Sequence, residues 1–371
     1  RKLILRGARP QDEGKANRDG GGEEIEAPNF LSTPMLAALL RSPKPIDENP
    51  LVLTDIPKPV PQDHEVLIRV RACGMCHTDL HIAEGELPLP KLPVVPGHQI
   101  VGIVEALGRG AKRFQEGDRV GVAWLRRSCG RCRNCSKGKE NLCEGAEFTG
   151  LQADGGYGEF STVDEAFAYP LPSDFSDHQA APLLCAGVIG YRALRLSEIH
   201  RGERLGLFGF GASAHIVIQI ARHWNCEVYV FTRSPDHQQH ARKLGAAWVG
   251  RAGDSPPERL QAAIIFAPAG ELVLDALRAL ERGGTVILAG ITMTPIPEID
   301  YARLLYHERK IRSVANATRR DAEELLALAA AIPLRTEVEL FSLARINQAL
   351  QKLKRSEIRG AGVIEVISAK H

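Results

Sequence analysis

The chain contains no stretch of about 18 apolar residues, and its first residues lack the apolar run of a signal peptide. Membrane insertion and secretion are therefore not expected, and a cytoplasmic protein is. An excess of charge is also missing. Lys plus Arg number 47 against 45 Asp plus Glu, a formal net charge of +2, so there is no electrostatic case for nucleic acid or an anionic membrane as partner. A small molecule is the expected partner. Eight cysteines in 371 residues are too few and too unevenly spread for a disulfide framework, and no internal repeat is present.

A length of 371 residues predicts two or three domains with a substantial core. Residues 1–34 are polar and Gly-rich, without periodicity, and are expected to form a flexible extension. The chain starts at Arg1 and Met35 precedes the first patterned segment, so these residues read as a mis-assigned start or an added remnant. Strand-like runs at Val66–Val70, Ile100–Val104 and Arg119–Val122, among many Pro and Gly, predict an irregular β-rich domain. After Ala193 the pattern alternates. Strands are expected at Leu205–Phe208, Val228–Phe231, Ala263–Phe266 and Thr285–Leu288, with helices at Ala212–His223, His237–Leu244 and Glu271–Leu280. Such alternation is that of an α/β domain with a doubly wound parallel sheet, placed at 190–315. The other domain takes 35–189 and 316–371, with Val338–Ile367 as a segment returning to it.

Cys129, Cys132, Cys135 and Cys143 form two successive C-x-x-C steps and a fourth Cys after seven residues. Each step lets the chain fold back so that two thiolates reach one ion, and four thiolates close a tetrahedral zinc shell. A site of that kind folds a loop and does no catalysis. Gly209-Phe210-Gly211-Ala212-Ser213-Ala214 sits between an expected strand and an expected helix, as a dinucleotide-binding G-x-G-x-x-A loop requires. Its glycines let backbone N–H groups approach a pyrophosphate at the helix N-terminus. Cys76, His98 and Cys185 lie too far apart for spacing to join them. Taken singly, they read as small buried thiols and a core histidine.

Together, Cys73-Gly74-Met75-Cys76-His77-Thr78-Asp79, Pro96-Gly97-His98-Gln99 and Leu184-Cys185-Ala186-Gly187 resemble the zinc-dependent alcohol dehydrogenases of the medium-chain dehydrogenase/reductase family, short-loop yeast and bacterial type. The resemblance runs from about Met35 to Ile367. It implies a GroES-like catalytic domain beside a Rossmann domain, and a reversible hydride transfer between a primary or small secondary alcohol and NAD(P). An NADP-dependent aldehyde reductase working mainly in the reductive direction is the alternative. By resemblance Cys76, His98 and Cys185 hold a catalytic zinc, the Cys129 cluster a second, structural one, and Cys73 neither. Thr78 matches the hydroxyl that accepts the alcohol proton, and His81 the histidine that relays it through the ribose to solvent. Asp79 matches a carboxylate orienting His98, His77 the basic residue at the pyrophosphate, and Trp124 a wall of the substrate pocket that suits small or unbranched alcohols. A zinc-free reductase of the superfamily would lack Cys76, His98 and the four-Cys cluster. A non-catalytic relative would lack Thr78, His81 or a ligand. A homo-oligomer, tetramer or dimer, is implied as well.

In NAD-dependent members the second strand of the nucleotide domain ends in Asp, which bonds the ribose 2′-hydroxyl and repels a 2′-phosphate. Counting from Ala214, that position falls on Thr232, followed by Arg233 and Ser234. A neutral hydroxyl removes the repulsion, and Arg233 and Ser234 offer donors to a phosphate, which favours NADP over NAD.

Overall fold

The computed structural model describes residues 33–332 and 334–366. The expected extension lies outside them except for Thr33 and Pro34. Seventeen strands and eight helices are described. The first nine strands are β1 (Pro34–Leu40), β2 (Leu51–Pro57), β3 (Glu65–Met75), β4 (Gln99–Leu107), β5 (Arg119–Val122), β6 (Leu125–Arg127), β7 (Glu147–Phe148), β8 (Phe160–Asp164) and β9 (Ala168–Pro170), with helix α1 (His77–Glu84) after β3 and α2 (Asp177–Ala180) after β9. Then come α3 (Ala186–Ser197), β10 (Arg204–Phe208), α4 (Ala212–His223), β11 (Glu227–Phe231), α5 (Pro235–Lys243), β12 (Trp248–Gly250), β13 (Leu260–Ile265), α6 (Leu272–Ala279), β14 (Leu280–Leu288) and β15 (Lys310–Ser313). The chain closes with α7 (Arg319–Ala331), β16 (Val338–Ser342), α8 (Ile346–Lys354) and β17 (Ala361–Glu365).

β10 to β15 form a six-stranded parallel sheet in the order β12-β11-β10-β13-β14-β15. That is the doubly wound order, whose direction reverses between β10 and β13, the point at which such sheets open a crevice. Both faces of the central strands β10, β11 and β13 are buried, and period-2 alternation divides their side chains between them. Leu205, Leu207, Val228, Val230 and Ile264 face the core shared with α3 and α4, while Phe208, Tyr229, Phe231 and Ile265 face the core against α6.

The second large sheet runs β16-β17-β3-β4-β5-β9, with β8 also paired to β3. β17 pairs antiparallel with Ala72–Met75, so the returning C-terminal segment completes the β-rich half. β1 and β2 make an antiparallel hairpin that the sequence pattern left unassigned. The boundary expected between 189 and 190 falls inside α3, a helix both halves share. Its Gly190 is so close to α4 that a Cβ there would come within 2.5 Å of Val217 Cγ2. Among the described residues no helix is long and apolar enough to cross a membrane.

Candidate active site

β3 ends in Met75, and the chain turns at Cys76 into α1. The turn is a capping box built on a thiol. Cys76 Sγ accepts the Thr78 N–H at 3.4 Å while Asp79 Oδ2 accepts the Cys76 N–H at 2.9 Å. The other oxygen of Asp79 faces His98 Nδ1 at 3.0 Å, and both side chains are 0% exposed. His98 thereby turns Nε2 toward Cys76 Sγ, 3.5 Å away. Gly97 makes this approach possible: its φ is 95°, and a Cβ would lie 2.7 Å from the Tyr157 ring. Cys185 caps α3 from the opposite side, its sulfur 3.8 Å from that of Cys76. Cys73 is buried outside this trio.

These distances fit one tetrahedral zinc ion. Bonds of about 2.3 Å to sulfur and about 2.05 Å to nitrogen give tetrahedral edges of about 3.8 Å between sulfurs and about 3.6 Å from sulfur to nitrogen. The electrostatics agree with the geometry. The Cys185 thiol donating to its sulfur, with His98 beside it, holds the Cys76 thiol well below its ordinary range although burial opposes this. Burial alone would lower the His98 pKa, but the charges of Asp79 and Cys76 outweigh it and push it up to about 10. The donor group is electron-rich, and its imidazole is fixed by a buried carboxylate.

The four-Cys loop converges in the same way. Cys129 and Cys135 sulfurs are 3.9 Å apart, Cys132 and Cys135 3.5 Å, and the ligand atoms of all four cysteines lie within 4.8 Å of one another. The backbone N–H groups of Arg131 and Cys132 pull the Cys129 thiol down to about 6. Four sulfurs leave no open position, whereas the Cys76 trio leaves one.

Around the trio, Thr78 is buried in the first turn of α1 and His81 lies one turn on, on the same face. His81 Nδ1 is held by the Glu86 carboxylate, a partner that sequence reasoning missed. Its signal was an acidic residue just past Gly85, where the helix ends in a left-handed turn. His77 is exposed at the start of α1. Trp124 packs edge-on to His98 with ring centroids 4.8 Å apart and is braced behind by Phe148 at 5.6 Å.

Gly209 leaves the carboxyl end of β10 with φ 90°, and a Cβ would press on the backbone of Ala267 at 3.2 Å. Gly211 then caps α4, whose first turn holds Ala212, Ser213 and Ala214. Gly190 of α3 lies against Ser213, and Cys185 is only five residues back, about 7.5 Å of helix rise. The same helix joins the Cys76, His98 and Cys185 trio to the Gly209 to Ala214 loop. At the end of β11, Thr232 is buried, Arg233 is exposed and in no ion pair among the described residues, and Ser234 Oγ caps α5.

A model of the alcohol dehydrogenase GroES-like domain matches residues 62–173, and one described as zinc-binding dehydrogenase matches residues 214–331. A probable alcohol dehydrogenase AdhA of Mycobacterium tuberculosis is 48% identical over 337 residues, 89% of this chain and 97% of that protein. An alcohol dehydrogenase of Geobacillus stearothermophilus is 33% identical over 328 residues, 86% and 97% of the two chains. Among solved structures, an acetophenone reductase from Geotrichum candidum in complex with NAD has a TM-score of 0.81 at 27% identity, over 90% of this chain and 97% of that one. A CAD from Helicobacter pylori complexed with NADP(H) has a TM-score of 0.79 at 25% identity, with the same coverage.

Proposed function

The chain belongs to the zinc-binding alcohol dehydrogenases, and from that premise we propose a reversible oxidation of small or unbranched alcohols to aldehydes or ketones with a nicotinamide dinucleotide, carried out on the Cys76, His98 and Cys185 group. The carrying observation is that group itself: three donor atoms within 4.8 Å of one another, with Cys76 Sγ at tetrahedral edge lengths from both His98 Nε2 and Cys185 Sγ, a set that leaves a fourth position for the substrate oxygen. Zinc bound there supplies Lewis acidity to an alcohol oxygen, and the nicotinamide supplies the hydride acceptor.

Everything else is done by side chains of this chain. The Thr78 hydroxyl receives the alcohol proton as it gives up its own, and His81 on the same face of α1, its ring oriented by Glu86, is the base that holds the released proton on its way outward. Asp79 keeps His98 Nε2 aimed at the metal. Trp124, braced by Phe148, narrows the space beside His98 and disfavours branched substrates. Gly209, Gly211 and the first turn of α4 receive the pyrophosphate, with His77 as a further cation toward it. A second zinc in the Cys129 cluster closes its loop. Residues 35–189 and 316–371 form the catalytic part and 190–315 the dinucleotide part, with α3 common to both.

NADP is favoured over NAD because Thr232, not a carboxylate, stands at the end of β11 and Arg233 is free to meet a 2′-phosphate. A homo-oligomer, dimer or tetramer, is supported by Tyr301 and Tyr306, each 62% exposed just ahead of the edge strand β15. Metal analysis combined with an alcohol panel in both cofactors tests the reading. Two zinc ions per chain and turnover of primary alcohols are expected; active protein holding fewer than two would overturn the two-site assignment.

A further inference from the structure

The chain leaves β15 at Ser313, at the carboxyl end of the parallel sheet, and crosses to Thr318, the cap of α7. Ligands of such sheets lie beyond the carboxyl ends of the strands, and a dinucleotide whose pyrophosphate sits after β10 extends its second half toward β13, β14 and β15. The crossing segment therefore borders the nicotinamide half of the crevice. It is not relaxed. Asn316 has φ 61°, a left-handed conformation unusual for a non-glycine residue, and its buried Nδ2 has no hydrogen-bond partner.

What holds this segment comes from the four-cysteine loop. Asn141 Nδ2 donates to the Ala315 carbonyl at 2.7 Å, and Glu140 Oε1 accepts the Arg319 backbone N–H at 3.0 Å and its Nε–H at 3.3 Å. Both side chains are nearly enclosed, 4% exposed for Glu140 and 6% for Asn141. They occupy a single turn, Glu140–Leu142, between Cys135 and Cys143, inside the loop that the four sulfurs close. On the far side, Asp321 of α7 is 0% exposed and bonds Arg192 at 2.6 Å and Arg195 at 2.5 Å on α3, so α7 cannot retreat to relieve the segment.

We propose that Glu140 and Asn141 are positioning residues through which the four-cysteine loop sets residues 314–318, and hence the affinity for the nicotinamide cofactor. The loop thus does more than stabilise. This inference rests on the dinucleotide-binding reading above. A structural role alone would lower stability without separating cofactor affinity from turnover.

The test uses zinc-loaded enzyme. Asn141→Asp keeps the shape but turns a donor into a carboxylate facing the Ala315 carbonyl, while Glu140→Gln keeps an acceptor for Arg319. Losing one buried hydrogen bond predicts a rise of about fivefold to tenfold in the dissociation constant for NADPH or NADH in Asn141→Asp, and about threefold or less in Glu140→Gln. The cofactor KM should rise with it, while kcat at saturating cofactor and zinc content stay at wild type. Amide exchange at 315–319 should quicken. Faster exchange with an unchanged dissociation constant in both variants overturns the proposal, as does no change in either quantity. Should Asn141→Asp not fold, Asn141→Ser, which removes the long-reaching donor without adding charge, must show the same split. A wild type that binds neither dinucleotide would overturn the functional reading instead, so the two failures are distinct.

Discussion

His215 should make the protein acid-sensitive from inside the parallel-sheet half, and the size of the expected effect follows from its surroundings. It sits in the first turn of α4 at 2% exposure, and neither ring nitrogen has a hydrogen-bond partner. Burial, then the charge of His240 at a centroid distance of 6.1 Å, lowers its pKa to about 4. The unfolded chain binds a proton near the ordinary value of about 6.5. The folded pKa is the lower one, so the unfolded state takes up protons first as pH falls, and stability is lost between about 6.5 and about 4. A gap of about 2.5 units corresponds to about 3.4 kcal/mol at the acid limit and about 2 kcal/mol at pH 5. His215→Leu keeps an apolar side chain of similar volume and removes the titration. Urea unfolding from pH 7.5 to 4.5 should show wild type losing about 2 kcal/mol more than the variant by pH 5. Parallel losses in the two proteins would refute the assignment of acid sensitivity to His215.

Cys132→Ser should reduce zinc from two to one per chain and lower the melting temperature while leaving kcat largely intact, because a closed metal site contributes its binding energy to folding; unchanged metal content and stability would refute this. Thr78→Ala should lower kcat by about 10²-fold or more without displacing zinc, as loss of a group that handles the alcohol proton does; a steady-state assay with metal analysis decides. Thr232→Asp combined with Arg233→Ala should move the NADP to NAD efficiency ratio toward NAD by an order of magnitude or more, since one Arg–phosphate contact contributes about 1.5–3 kcal/mol. A wild type that already prefers NAD, unmoved by the substitutions, would show that these residues do not read the 2′ position.

The parts of the site that are local in sequence were legible there. The regular cysteine spacing after Cys129 announces a sulfur shell, and Gly209 to Ala214 falls between a strand and a helix as read. Non-local parts were not. Cys185 lies 109 residues from Cys76 and meets it only because the turn before it, Ala181–Leu184, packs on β3 and β4 while α3 packs on β13 and β14, so resemblance and not periodicity joined them. α1 escaped notice because it is eight residues long and its cap is a thiol, not one of the usual oxygen-bearing cap residues. The first hairpin was missed because β2 alternates exposed and half-buried positions without a clear apolar face. Glu140 and Asn141 carry no pattern at all; their partners are fixed only by three-dimensional packing.

Asp79 has both carboxylate oxygens committed, one to the start of α1 and one to His98. The residue is thus pleiotropic in the strict sense. A replacement that loses both oxygens alters the aim of the His98 imidazole and, in the same step, the start of the helix that carries Thr78 and His81. On the proposed mechanism neither the metal nor the proton path can be retuned alone from position 79, so natural drift and laboratory evolution toward new alcohols should travel through the proposed pocket wall at Trp124 and Phe148, where a change in shape leaves this shared joint untouched.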